Sequence, residues 1–148
     1  MFKTIVVATD GTAHGSRVLE VARSMAHNGE HSVVIVHVNQ LVGGKGGFAP
    51  MAIDEHEVRA ALAITVKELE ADGISTELLT PTIRLGDPAH EIAEIAEARK
   101  ADLIVVGRHG HSLLGDVLLG GVPVRLLQLV HCPVLVVPAS TADESQAE

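Results

Sequence analysis

The stretch Thr4-Ile5-Val6-Val7-Ala8-Thr9-Asp10-Gly11-Thr12 decides the reading of the fold. Four β-branched residues and an alanine run without polar alternation. That pattern describes a strand buried on both faces, as in parallel sheets covered by helices. The Asp-Gly pair then marks a turn. Past it, Val18, Leu19, Ala22, Met25 and Ala26 recur at helical spacing between Gly15 and His27, and Gly29 stands where a helix-ending glycine belongs.

The alternation continues outward. Ser32 to Val38 gives a second buried strand around Val33-Val34-Ile35-Val36. Gly43, Gly44, Gly46 and Gly47 follow in a loop with few contacts of its own to order it. Ile53 to Ala71 predicts a long helix with Val58, Leu62, Val66 and Leu69 on one face and Gly73 as its stop. Thr76 to Arg84 is a third strand, placed at a sheet edge by Pro81. Asp87-Pro88 opens a helix with a carboxylate N-cap and a proline in the first turn, and Ile92, Ile95 and Ala96 face inward from it. Leu103 to Val106 is a fourth strand, Val124 to Val130 a short helix and Val134 to Val137 a fifth strand. The order βαβαβαβαβ predicts one α/β domain: an open parallel five-stranded sheet with helices on both faces. Residues 1–138 form that domain, and Ala139 to Glu148, small, polar and acidic, reads as a flexible tail.

Composition narrows the function classes. The net charge is -8, from 11 basic and 19 acidic residues, and no basic patch is segregated along the chain. Phe2 and Phe48 are the only aromatics. Both facts argue against nucleic-acid binding, which needs cationic surface and stacking platforms. No apolar run reaches the ~20 residues of a membrane helix, so no membrane role is expected. The N-terminal residues lack a signal-peptide pattern, and Cys132 is the single cysteine. These features point to a cytoplasmic protein without disulfides.

Ligands of open parallel sheets bind beyond the carboxyl ends of the strands, where strand order reverses. The unusual residues of this chain fall there: Asp10 after the first strand, Gly107 and Gly110 after the fourth. Gly107-Arg108-His109-Gly110, nine residues, then Gly120-Gly121 is the most specific spacing present. Glycines let backbone N–H groups approach an anion, and a helix starting past Gly121 would point its dipole at a phosphate. Spacing alone equally allows plain tight turns.

Four segments resemble signatures of the universal stress protein family: Val7-Ala8-Thr9-Asp10-Gly11-Thr12, Gly86-Asp87-Pro88-Ala89, Ala101-Asp102-Leu103-Ile104-Val105-Val106-Gly107 and Cys132-Pro133-Val134-Leu135-Val136-Val137. The resemblance covers about Phe2 to Pro138. It implies a Rossmann-like fold of the adenine nucleotide alpha hydrolase type, with sheet order 3-2-1-4-5, and a homodimer paired through Val134 to Val137. Nucleotide-binding members carry G-x2-G-x9-G-[S/T]. By that resemblance Asp10 holds the ribose and the Val38 backbone reads the adenine edge. Gly107, His109, Gly110, Gly120 and Gly121 cradle the phosphates, and Ala8, Thr9, Val106 and Val122 line the pocket. The sequence departs at the motif's end. Gly121 replaces the family's Ser or Thr, and Pro123 removes a backbone donor. Each lost charge-assisted hydrogen bond weakens the phosphate grip by roughly 1.5–3 kcal/mol. ATP, with Mg2+ as a companion ion, is the first ligand expected, and AMP or cyclic AMP the next.

Other features have blander readings. Asp10 is open to roles as metal ligand, ribose acceptor or turn former. Lys45, between two glycine pairs, is either a lid lysine or part of a flexible loop; the Walker spacing is absent. His109 and His111 fall short of the four ligands of a structural zinc site, and Cys132 reads as a small apolar residue. No hydrolase, metalloprotease or kinase motif appears. The sequence therefore predicts a nucleotide-binding stress-response regulator with a protein partner of unknown identity. A nucleotide-independent dimeric interaction protein and a slow ATP hydrolase are the alternatives.

Overall fold

The computed structural model describes residues 2–11, 13–26, 30–44, 46–50, 54–84, 86–108 and 121–138. Strands β1 (Thr4–Ala8), β2 (Ser32–Val36), β5 (Ser75–Leu79), β7 (Leu103–Gly107) and β8 (Val134–Val137) make one sheet, ordered β5-β2-β1-β7-β8 and parallel throughout. Counting only these five strands along the chain, that is the expected order 3-2-1-4-5. Helices α1 (Ala13–Met25) and α2 (Glu55–Ala71) connect the strands laid outward from β1 in one direction. Helices α3 (Pro88–Ala98) and α4 (Val122–Leu129) connect those laid in the other. Right-handed crossovers therefore put the two pairs on opposite faces.

The strand residues divide between those faces by parity. Ile5, Val7, Val33, Ile35, Leu103 and Val105 pack with α1 and α2 through Val18, Ala22, Leu62 and Leu69. Val6, Ala8, Val34, Val36, Ile104 and Val106 pack with α3 and α4 through Ala89, Ile92, Ala96 and Leu126. Both faces of each central strand are covered, which is why the strand runs carry no polar alternation.

The helix ends follow the sequence signals closely. Asp54 caps α2, its carboxylate accepting the Glu57 N–H at 3.1 Å. Gly73, at φ +82°, ends α2: its N–H donates to the Glu70 carbonyl, and the Ile74 N–H to that of Leu69. This is the pairing a left-handed terminal glycine permits. Asp87 caps α3 by accepting the Ala89 N–H at 3.0 Å, with Pro88 next in line.

Three elements differ from expectation. The glycine-rich loop is a hairpin of β3 (Asn39–Gly44) and β4 (Gly47–Pro50), with Gly44 opposite Gly47. Gly47 sits at φ +103°, a conformation glycine adopts without steric cost, so the glycines shape the turn of an ordered hairpin. The expected strand Thr76 to Arg84 breaks after Leu79. Its remainder forms β6 (Thr82–Ile83) in a separate three-stranded sheet, β4-β3-β6. Pro81 has no N–H to continue the first ladder, and its carbonyl accepts the Asn39 N–H at 2.8 Å. The last helix begins two residues early, at Val122. Gly29, Lys45 and residues 139–148, the expected tail, lie outside the described residues.

Candidate functional site

Strand β1 is where winding direction reverses, because its neighbours β2 and β7 belong to opposite arms of the sheet. The crevice beyond the carboxyl ends of β1 and β7 is therefore the site the fold provides. Ala8 lies directly opposite Val106, which brings the ends of the two strands into register. Thr9 and Asp10 continue past β1, and Gly107 closes β7. Val38 and Val122 both pack on the cluster containing Ala8 and Val106, so the apolar residues expected to line the pocket, Ala8, Val106 and Val122, converge in one place with Val38. His109, Gly110, Gly120 and His111 lie outside the described residues.

Gly121 is the N-cap residue of α4 and supplies no side-chain capping bond. The first backbone bond within the helix runs from the Arg125 N–H to the Gly121 carbonyl at 3.2 Å. Helix starts leave their early N–H groups without internal partners. Here those of Val122 and Val124 remain, while Pro123 contributes none. The end of α4 is fixed from outside: Arg125 Nε donates to Asp87 Oδ2 at 2.7 Å, so the carboxylate that caps α3 also holds α4.

Val38 joins β2 to β3, and its surroundings are informative. The His37 N–H donates to the Leu79 carbonyl at 2.9 Å and the Asn39 N–H to that of Pro81. In extended chain, successive backbone groups point to alternate edges. The N–H and C=O of Val38 therefore face the β1 side, where the strand has just ended. Among the described residues neither takes part in a hydrogen bond. The ladder partner that register offers the Val38 N–H is the Thr9 carbonyl, one step beyond the bond from the Thr9 N–H to the Val36 carbonyl. That carbonyl also lies 3.1 Å from His37 Nδ1.

Thr9 is thus structural in all its polar groups. Its N–H and C=O are used as described, and its hydroxyl oxygen accepts the Gly11 N–H at 3.1 Å, shaping the turn that presents Asp10. Gly11 sits at φ +80°, with Val58 of α2 against its Cα. Two residues to which the sequence assigned no role also belong here. His37 is 2% exposed, and its Nε2 meets both carboxylate oxygens of Glu55, at 2.9 and 3.1 Å. Asn39 is buried just past Val38, and its Oδ1 has no hydrogen-bond partner among the described residues. A histidine at a strand's end carries no sequence signal of a partner 18 positions away. The one cue was a polar residue continuing the inward parity of Val33 and Ile35.

Among the described residues no three His, Cys, Asp or Glu side chains gather as a metal site would require, and no helix is long and apolar enough to cross a membrane. Cys132 is half-buried, and burial pushes its thiol pKa up, which disfavours the nucleophilic thiolate.

Comparison with known proteins places this geometry. A family model described as the universal stress protein family matches residues 1–138. A universal stress protein of Methanocaldococcus jannaschii is 35% identical over 145 residues, spanning 93% of this chain and 82% of the relative. A crystal structure of a universal stress protein in complex with cAMP superposes with a TM-score of 0.68 at 27% identity, covering 94% of this chain and 98% of the other. The universal stress protein from Archaeoglobus fulgidus in complex with dAMP gives 0.60 at 25% identity, covering 90% and 96%.

Proposed function

The chain belongs to the universal stress protein family, and from that premise we propose that it binds an adenine nucleotide between the ends of β1 and β7, as the sensing element of a cytoplasmic stress response. The observation that carries the reading is Val38: between the end of β2 and the start of β3, its backbone donor and acceptor face the crevice with no partner among the described residues. A purine edge that presents one acceptor and one donor side by side is the group such a pair recognises. The buried Asn39 Oδ1 beside it is a further acceptor that a donor-bearing base would satisfy. Asp10, at the turn past β1, would take the ribose hydroxyls. The N–H groups at the start of α4 would take phosphate, with Gly107 and Gly121 allowing close approach. The relatives solved with cAMP and dAMP support this class of ligand.

The finer preference follows from the start of α4. With no hydroxyl at Gly121 and no N–H at Pro123, a triphosphate has fewer donors to meet than the family pattern provides. ATP with Mg2+, AMP and cyclic AMP are all candidates, and the short phosphates lose least. Thermal melting with ATP, AMP, cyclic AMP and GTP, with and without Mg2+, tests this. A ligand at about 100 times its Kd adds roughly 2.7 kcal/mol. Stabilisation by adenine nucleotides alone is expected; no stabilisation of nucleotide-free protein by any of them would overturn the reading.

The same proposal takes the protein as a binder and not an enzyme. Magnesium-dependent phosphate release that disappears in Asp10→Ala would reverse that part. It also takes the protein as a homodimer. Strand β8 is an edge of the sheet, with Leu135 and Val136 exposed, and α4 beside it exposes Val124 and Leu127. If the nucleotide part fails, this apolar edge favours the second reading, a dimeric interaction protein whose crevice is vestigial.

A further inference from the structure

Helices α3 and α4 both begin at the carboxyl end of the sheet, because a helix that links parallel strands runs antiparallel to them. One side chain joins their first turns. Arg125 Nε donates to Asp87 Oδ2 at 2.7 Å, and Arg125 Nη1 donates to Gln128 Oε1 at 3.0 Å. A guanidinium carries five N–H donors and stays charged at any working pH. Nε and one Nη1 hydrogen are used, so the second Nη1 hydrogen and both on Nη2 have no partner among the described residues. The side chain is 48% exposed, which leaves these donors open to a ligand.

Position on the helix aims the group at the start of α4. The Arg125 N–H donates to the Gly121 carbonyl at 3.2 Å, so residues 121 and 125 lie one turn apart on one face. Long helical side chains lean back toward the N-terminus. Gly121 leaves that path open: among the described residues a Cβ there would meet Pro123 Cδ alone, at 3.6 Å. The same turn presents the N–H groups of Val122 and Val124 to a phosphate, and Pro123 adds none.

We infer that Arg125 is a phosphate-binding residue of the nucleotide site, supplying from one turn inside α4 the side-chain donor that Gly121 does not. The inference rests on the nucleotide reading above and names the group that α4 selects: a phosphate monoester carrying two charges, as in AMP. Nε stays on Asp87 while the unpartnered Nη1 and Nη2 hydrogens turn to phosphate oxygens. Such charge-assisted, forked pairs are stronger than neutral hydrogen bonds. The affinity contributed by Arg125 therefore follows ligand charge: greatest for AMP, smaller for cyclic AMP with its single charge, absent for adenosine. The Asp87 carboxylate opposes the phosphate by charge, so its ion pair and the ligand role of Arg125 can be separated.

Calorimetry on the full chain compares adenosine, cyclic AMP and AMP without Mg2+, at one salt concentration and about pH 8, where the monoester is doubly charged. Arg125→Gln should weaken AMP by roughly fivefold to twentyfold and cyclic AMP by about threefold. Adenosine should stay within about twofold of wild type, which also reports that the variant keeps its fold. Asp87→Asn breaks the same ion pair and retains a capping oxygen, so it should bind AMP at least as tightly as wild type. Equal losses of adenosine and AMP in Arg125→Gln, or an AMP loss in Asp87→Asn as large as in Arg125→Gln, would make the residue structural and overturn the inference. Unchanged AMP affinity in Arg125→Gln would overturn it too. In each of these cases the nucleotide reading stands. Binding of none of the three ligands by nucleotide-free wild type would overturn that reading, and the inference with it.

Discussion

Alanine at Gly11 should cost stability twice, for two separable reasons. The residue sits at φ +80°, where a Cβ crowds its own backbone at a cost of about 1–2 kcal/mol. The added methyl would also lie 2.6 Å from Val58 Cγ1 and 3.0 Å from Cγ2. Val58 belongs to α2, where a β-branched side chain holds one dominant rotamer and cannot swing aside. Overpacking of this kind costs about 1–3 kcal/mol, so the sum is about 2–5 kcal/mol, a large part of the ~5–15 kcal/mol typical of a domain. Urea unfolding of Gly11→Ala, Val58→Ala and the double variant measures both parts, provided the slope with denaturant is unchanged. In the Val58→Ala background the steric part vanishes, and Gly11→Ala should cost only the backbone part, about 1–2 kcal/mol. Equal costs in both backgrounds would refute the close approach of α2 to the Asp10 turn. A single-variant cost below about 1 kcal/mol would refute the constraint on the backbone.

Asp87 should show a divided role. Asp87→Ala removes the α3 cap, worth about 0.5–2 kcal/mol, and the half-exposed ion pair to Arg125, worth at most ~1 kcal/mol. Asp87→Asn retains a capping oxygen and should cost less than about half as much; equal losses by urea unfolding would mean that the cap contributes nothing. The acid limb of stability should depend on Asp102, whose carboxylate accepts the Thr4 and Lys3 N–H groups at 2.9 Å and is held below its ordinary value of 3.8 by those bonds. A carboxylate with a depressed folded pKa contributes stability that is complete above its unfolded value and lost as pH falls through the folded one. Asp102→Asn should therefore flatten the decline in melting temperature below about pH 4 while leaving the slope near neutrality unchanged; an unaltered acid limb would remove this role.

The five parallel strands, the four helices and the caps at Asp87 and Gly73 were legible in the sequence. Each depends on local chemistry: β-branched runs, helical spacing, a short carboxylate before proline, a glycine after the last apolar residue. The position of the crevice followed from Asp10 and Gly107 at strand ends, and strand order from the family resemblance. The hairpin of β3 and β4 was not legible, because glycines that look unordered along the chain become turn formers once β6 pairs beside them. The break at Pro81 went unread for a related reason. Losing an N–H predicts an edge, but only the neighbouring Asn39 shows where the remaining carbonyl turns.

The sequence by itself therefore determined the class of fold and the family, and it marked the end of the sheet where the candidate site is proposed. Tertiary structure alone decided which backbone groups at that end find partners among the described residues. The Thr9 N–H and hydroxyl oxygen bond within the chain, whereas the Val38 N–H and C=O take part in no hydrogen bond among the described residues. That difference depends on where β1 ends beside the segment that joins β2 to β3. Residues 9 and 38 are brought side by side by the sheet, and their separation along the chain says nothing about the outcome. It is decided only after β1, β2 and β5 have been brought together.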